Sequence, residues 1–137
     1  MISLTKDKEL KGYKSLTVYP EVAHFVTTRH GGVSEGTYGS FNCSPYTKDS
    51  CINVNCNQNK LFQITGHQIK QLVIPEQKHG SASLVVDESF FKESLEVRRT
   101  LLRGIDALIT NVPGYCVCVT TADCVPAVSY THLTLPT

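Results

Sequence analysis

Tyr115-Cys116-Val117-Cys118-Val119-Thr120-Thr121-Ala122-Asp123-Cys124-Val125-Pro126 is the stretch on which the fold turns. Its first seven residues, Tyr115–Thr121, are apolar or thiol-bearing at almost every position, the pattern of a strand covered on both faces. An aspartate and a cysteine follow at the strand's carboxyl end, the usual place for a site in an α/β sheet, where side chains leave the core for a crevice. Read alone, the same residues also suit a buried structural thiol with Asp123 capping the next turn. Cys116 and Cys118, two apart on one face, are most simply core packing.

Moving outward, Asp106–Thr110 resembles a second strand. Over Glu88–Arg103 the acidic residues Glu88, Glu93 and Glu96 come early and Arg98, Arg99 and Arg103 late, with Gly104 next; this order suits one helix and its macrodipole. Gln71–Pro75 and Ala82–Asp87 read as strands flanking Glu76-Gln77-Lys78-His79-Gly80, which puts His79 in a tight connection. Val54, Leu61 and Ile64 recur near helical spacing, so a helix is predicted around Ile52–Gly66 with Gly66 at its C-cap. The stretch from Gly31 to Pro45 is glycine- and turn-rich, with Tyr38 and Phe41 as anchors. Leu16–Tyr19 and His24–Thr28 read as two short strands about a turn at Pro20. The expected class is α/β (α+β): a mixed β-sheet with packed helices, in one domain without an internal boundary.

The chain has 137 residues, 13 Lys+Arg against 12 Asp+Glu, six Cys and no Trp. Charge near zero with both signs interspersed argues against a nucleic-acid surface and against a basic membrane-attracted face. No early stretch has a signal-peptide core and no later one reaches the roughly 18 apolar residues of a membrane span, so a soluble, cytoplasmic protein is expected. Small molecules are the expected partners. In that compartment the cysteines are reduced thiols, and without a CxxC pair they argue against a structural zinc knuckle.

Three places could carry chemistry. In Thr27-Thr28-Arg29-His30-Gly31-Gly32 a strand delivers a guanidinium to a loop whose glycines let backbone N–H groups converge on an anion; a plain turn with an exposed arginine is the commoner reading of these residues alone. His79, beside Gly80, can approach a metal or substrate closely, although an isolated histidine is more often a surface residue. Cys124 and His79 together allow two chemistries: thiolate and imidazole sharing a zinc ion, or a histidine activating a thiol nucleophile.

The combination of Phe25-Val26-Thr27-Thr28-Arg29-His30-Gly31-Gly32-Val33-Ser34-Glu35-Gly36, Ser40-Phe41-Asn42, Gln77-Lys78-His79-Gly80, Asp106-Ala107-Leu108-Ile109-Thr110 and Thr121-Ala122-Asp123-Cys124-Val125-Pro126 closely resembles the multicopper polyphenol oxidase (laccase-domain) family. That family is also described as purine nucleoside phosphorylases and as peptidoglycan editing factors. The resemblance implies a laccase-domain-like fold and a zinc-dependent enzyme that phosphorolyses adenosine, inosine and methylthioadenosine and deaminates adenosine. Copper-dependent phenol oxidation is the older label, with copper as the alternative metal. By the same resemblance His79 and Cys124 are metal ligands, Arg29 contacts phosphate or substrate with Gly31 and Gly32, and Asn42 is a further candidate for that pocket. Asp123 orients the metal shell or hydrogen-bonds the purine. A metal-free Cys124/His79 hydrolase acting on cell-wall precursors is the rival enzyme reading, and an inert or binding fragment is the third.

The family's later His-Ala-Gly-Trp-Arg-Gly motif, which supplies a third ligand, is absent. Residues 1–128 are accordingly expected to be the N-terminal part of one such domain, and Ser129-Tyr130-Thr131-His132-Leu133-Thr134-Leu135-Pro136-Thr137 a non-native tail. His132 lies in unrelated context and is not taken as a substitute ligand. Two protein ligands hold zinc less firmly than three, so weak or absent catalysis by this chain alone is expected.

Overall fold

A computed structural model of the chain describes residues 1–66, 69–121 and 127. Its longest element is α1 (Cys51–Ile64). Ser50 sits extended before it, and the Ser50 Oγ accepts the Ile52 N–H at 3.3 Å, capping an otherwise unpaired first-turn amide. Val54, Asn57 and Leu61, at three- and four-residue spacing, are buried on one face. Past Thr65 the chain leaves the helix through Gly66 at φ +65°, a conformation glycine adopts without steric cost.

The N-terminal region forms an antiparallel ladder in the order β1 (Ile2–Ser3), β2 (Leu10–Gly12), β3 (Val26–Thr27). Leu10 pairs with Thr27 and Lys11 with Val26. The partner of the Val26 strand is therefore Leu10–Gly12 and not Leu16–Tyr19, which the sequence reading had as a strand. Leu16–Tyr19 is a run of turns, with Leu16 N–H donating to Tyr13 O at 3.0 Å and Tyr19 N–H to Leu16 O at 3.2 Å. Its Val18 is 69% exposed, so β-branched character there meets no apolar partner to pair against.

The second half holds β4 (Gln71–Val73), β5 (Ser83–Val85), α2 (Glu88–Lys92), α3 (Leu95–Leu101), β6 (Ala107–Ile109) and β7 (Tyr115–Val117). Pairing is mixed across the molecule, as expected for the α/β class, but it is distributed over three small ladders. β4 and β7 are parallel with Gln71 opposite Tyr115 and Val73 opposite Val117; β5 and β6 are parallel with Leu84 opposite Leu108.

The single helix expected over Glu88–Arg103 is two. Asp87 caps α2, its Oδ1 accepting Ser89 N–H at 2.9 Å and Phe90 N–H at 3.1 Å. Glu93 and Ser94 are both extended, and Ser94 Oγ then accepts Val97 N–H to start α3. A serine just before Leu95 is a start signal in its own right, which the charge gradient masked.

Two apolar clusters hold these parts together. Val73, Val86, Phe90 and Leu102 pack with Leu84, Phe91, Leu108 and Val117 between the parallel pairs and the short helices. Leu10, Phe41 and Leu61 pack with Phe25, Cys43, Ile64 and Leu72, joining the N-terminal ladder to α1 and to β4. Burying each such leucine or phenylalanine contributes about 1.5–3 kcal/mol. The stretch Tyr115–Thr121 departs from full burial: residues 115–118 are half-buried and 119–121 exposed. β7 has one neighbour, β4, among the described residues.

Candidate functional site

Parallel pairing sets side by side the two strands that precede the His79 and Asp123-Cys124 motifs in the sequence. Val73 and Val117 lie side by side at the carboxyl ends of β4 and β7, and the chain past each strand carries a motif. His79 lies six positions past Val73, and Cys124 seven past Val117. Both motifs thus leave the same edge of one parallel pair, the edge on which α/β sheets build sites. Cys124 and Asp123 themselves lie outside the described residues, as does the tail from 129 onward.

The His79 connection is held from two sides. Its backbone is left-handed at φ +56°, uncommon for a residue with a Cβ. The Asp106 carboxylate accepts three successive amides there: Lys78 N–H at 3.2 Å, His79 N–H at 2.8 Å and Gly80 N–H at 2.8 Å. A curl of consecutive N–H groups is a natural anion cradle, and the protein fills it with its own carboxylate. A Cβ at position 80 would meet Asp106 Oδ2 at 3.2 Å, so glycine keeps that approach open. On the other side Gln77 Oε1 accepts the Thr120 N–H at 2.7 Å and the Thr120 hydroxyl at 2.8 Å, fastening the connection to the exit of β7. His79 is exposed, and among the described residues no hydrogen bond occupies its imidazole.

Arg29, Gly31, Gly32 and Asn42 belong to a separate loop system built on α1. Asn57, fully buried, accepts Val33 N–H at 2.9 Å and donates to Ser34 Oγ, Ser40 O and Asn42 O at 2.8–3.2 Å. Asp49 accepts the Ser34 hydroxyl at 2.6 Å and the Asn42 amide at 3.0 Å. These two bonds, the serine's first, hold its carboxyl below the usual aspartate range. Gly32 is packed so closely that a Cβ would fall 2.0 Å from Ser40 O.

This packing corrects one expectation. The amides of His30, Gly32, Val33 and Ser34 donate to Thr28 Oγ1, Ser40 Oγ, Asn57 Oδ1 and Ser40 O, so they are spent within the protein and do not converge on an outside anion. The Arg29 guanidinium is exposed at the edge of this loop. Its Nε and Nη2 both donate to Gly39 O at 3.1 Å, which fixes the plane of the guanidinium. The Asn42 amide is engaged by Thr47, Asp49 and the Ser44 N–H, a loop-holding set.

The two systems meet at β7. Cys43 follows Asn42 and packs in the cluster that also holds Leu72 of β4, the strand paired with β7, and Thr120 is the residue Gln77 binds. Among the described residues no hydrogen bond or ion pair links His79 directly to Arg29, and no three His, Cys, Asp or Glu side chains converge as a metal site. Two surface depressions of about 350 and 330 Å³ lie elsewhere, the first by Asp87 and Pro113, the second by Leu4, His24 and Ile64. Sequence reasoning named Asp106 and Gln77 only as motif letters and passed over Asn57 and Asp49. An asparagine on the buried face of a helix was the available signal for the third.

Residues 23–133 match the family described as multi-copper polyphenol oxidoreductase laccase. The chain is 48% identical over 130 residues to a purine nucleoside phosphorylase of Bacteroides thetaiotaomicron, covering 95% of this chain and 48% of that one. It is 34% identical over 107 residues to adenosine deaminase RL5 of an unknown prokaryotic organism, covering 78% and 41%. In three dimensions it resembles the crystal structure of YlmD from Geobacillus stearothermophilus, with a TM-score of 0.61 and 27% identity over 73% of this chain and 37% of that one. The chain spans about half the length, or less, of these relatives.

Proposed function

This chain belongs to the multi-copper polyphenol oxidoreductase laccase family, and from that premise we propose that it is the N-terminal part of a zinc-dependent purine nucleoside phosphorylase. Its substrates are adenosine, inosine and methylthioadenosine together with phosphate, with adenosine deamination beside phosphorolysis. The observation that carries this reading is the parallel β4–β7 pair, which sends the His79 and Cys124 motifs off one edge, reinforced by the Gln77 clasp on Thr120. The names of the relatives, a phosphorylase and an adenosine deaminase, support the substrate class.

The residues fit the metal in kind. An exposed imidazole with no hydrogen bond among the described residues, on a turn pinned by Asp106, is a ready nitrogen donor, and a thiolate is the usual companion for zinc. His79 and Cys124 are the ligands assigned. Bound there, zinc would supply Lewis acidity for the leaving base and an acidified water for deamination. The chain's own residues do the rest: Asp106 holds the His79 backbone, Arg29 presents its free N–H groups to phosphate, and Asp123 orients the metal shell or the purine. Asn42 and Gly32 shape the Arg29 loop and keep it seated on α1.

A chimera tests this. Residues 1–128 joined to the carboxyl half of the Bacteroides relative are expected to convert inosine and phosphate to hypoxanthine and ribose 1-phosphate when zinc-loaded, while the present chain alone does not. A folded, zinc-loaded chimera that makes no ribose 1-phosphate, under conditions where the relative does, overturns the reading.

A further inference from the structure

We propose that the outer face of the β5–β6 pair, carried by Val85 and Ile109, is the surface on which the carboxyl half of the domain packs. The two strands run parallel with Ser83 opposite Ala107, Leu84 opposite Leu108 and Val85 opposite Ile109. Side chains alternate between the two faces along each strand. Leu84 and Leu108 turn inward and pack with Val73, Val86, Phe90 and Leu102. Ser83, Val85, Ala107 and Ile109 turn the other way, and all four are exposed, Val85 at 58% and Ile109 at 57%.

That face has the composition of an interior. A strand whose outer side meets water alternates apolar with polar residues, and exposed strands are blunted with charges, lysine above all. None of these four residues carries a charge, and the two largest are β-branched, the type that packs on a pleated surface. Parallel strands occur almost only with both faces covered. Here Phe90 of α2 and Leu102, just past α3, cover one face, and among the described residues the other stands open.

The size of the face selects its occupant. Four side chains of this size offer far less than the roughly 800 Å² per partner of a standard protein interface, so a free partner or a second copy would gain too little to offset the entropy of association. A segment of the same polypeptide bears no such cost, because its effective concentration is set by the chain that tethers it. The relatives contain such polypeptide: the Bacteroides phosphorylase matches 95% of this chain with 48% of its own length, leaving about half of it to pack elsewhere. The face also borders the site. Asp106, whose carboxylate accepts the His79 N–H, immediately precedes Ala107, and Asp106 N–H donates to Ala82 O at 2.9 Å at the entry of β5. This inference rests on the chain being the N-terminal part of the domain, and not on zinc or phosphorolysis; its test reads burial, so either can fail without the other.

Val85→Cys and Ile109→Cys are made singly in the 137-residue chain and in the chimera described above, and iodoacetamide labelling is followed by peptide mass spectrometry. In the lone chain each introduced thiol is expected to react about as fast as the exposed Cys51. In the folded chimera it is expected to react at least about tenfold more slowly than in the lone chain. Carbene footprinting of the native Val85 and Ile109 reads the same cover with no variant at all. The Val85→Lys/Ile109→Lys double variant is expected to leave the urea midpoint of the lone chain nearly unchanged and to lower that of the chimera. Equal labelling of these positions in the lone chain and the folded chimera overturns the proposal, and so do equal midpoint shifts in the two. Protection already present in the lone chain also overturns it, whether from a second copy, shown by a mass that rises with concentration, or from residues 129–137, shown by its loss on their deletion.

Discussion

The Asp106 carboxylate accepts the His79 backbone N–H at 2.8 Å across 27 positions of sequence, and with it the amides on either side. One side chain at the entry of β6 therefore sets the conformation of the turn that presents the imidazole. Asp106→Asn replaces an acceptor oxygen by a donor facing an N–H. Faster hydrogen exchange at residues 78–80 with a nearly unchanged melting temperature is expected, together with zinc affinity about 10–100-fold weaker in the chimera described above. Unchanged exchange at those amides would refute the positioning role.

Asn57 is the corresponding anchor for the Arg29 loop. Asn57→Ala strands the Val33 amide and the Asn42 carbonyl, while Ser40 O keeps the Ser34 N–H and the Ser34 hydroxyl keeps Asp49. At about 1–3 kcal/mol for each buried group left unpaired, a loss of about 3 kcal/mol or more is expected. The urea midpoint of the variant reads it directly; a shift below about 1 kcal/mol would mean that water replaces the amide.

Acid should loosen the same loop. Asp49, bonded first by the Ser34 hydroxyl, Asp87, bonded first by the Ser89 hydroxyl, and Glu9, bonded first by the Thr5 hydroxyl, all have pKa values lowered from their ordinary 3.8, 3.8 and 4.5. A carboxylate with a depressed folded-state pKa contributes stability that is complete above its unfolded value and is lost as pH falls through the folded one. Urea midpoints are therefore expected to be flat from neutrality to about pH 5 and to drop below about pH 4. Asp49→Asn is expected to start lower at neutral pH and to lose less on acidification.

Cys43 lies in the cluster of Leu10, Phe41 and Leu61, and burial pushes its thiol up to about 11. It should stay protonated and resist iodoacetamide at pH 8, where the exposed Cys51 and Cys56 react. Leu61→Ala, which opens a cavity beside it at a cost of about 2–5 kcal/mol, should make Cys43 reactive at that pH. Alkylation of Cys43 at the rate of Cys51 in the parent chain would contradict its burial.

Much of the local structure was legible in the residues. An apolar stripe and a glycine stop marked α1, while its capping Ser50 emerged only in the structure. Short apolar runs between turn residues located β4 to β7 and put His79 in a connection. The misreadings share a cause. Leu16–Tyr19 has strand-like residues but folds as turns, while Leu10–Gly12, only three residues long, pairs on both sides. The charge gradient over Glu88–Arg103 runs on through a break that Ser94 creates by capping α3.

By itself the sequence determined the element types, the α/β class and, through five ordered motifs, the family. Such signals act within one helical turn or one strand, where capping and side-chain period decide the outcome. Tertiary structure alone decided that β4 and β7 run parallel in the Val73–Val117 register, and that Asp106 fills the cradle at His79 and Asn57 seats the Arg29 loop. Most of these join residues tens of positions apart, and all of them depend on the path of the packed backbone, which sets which donor meets which acceptor once the two cores have closed.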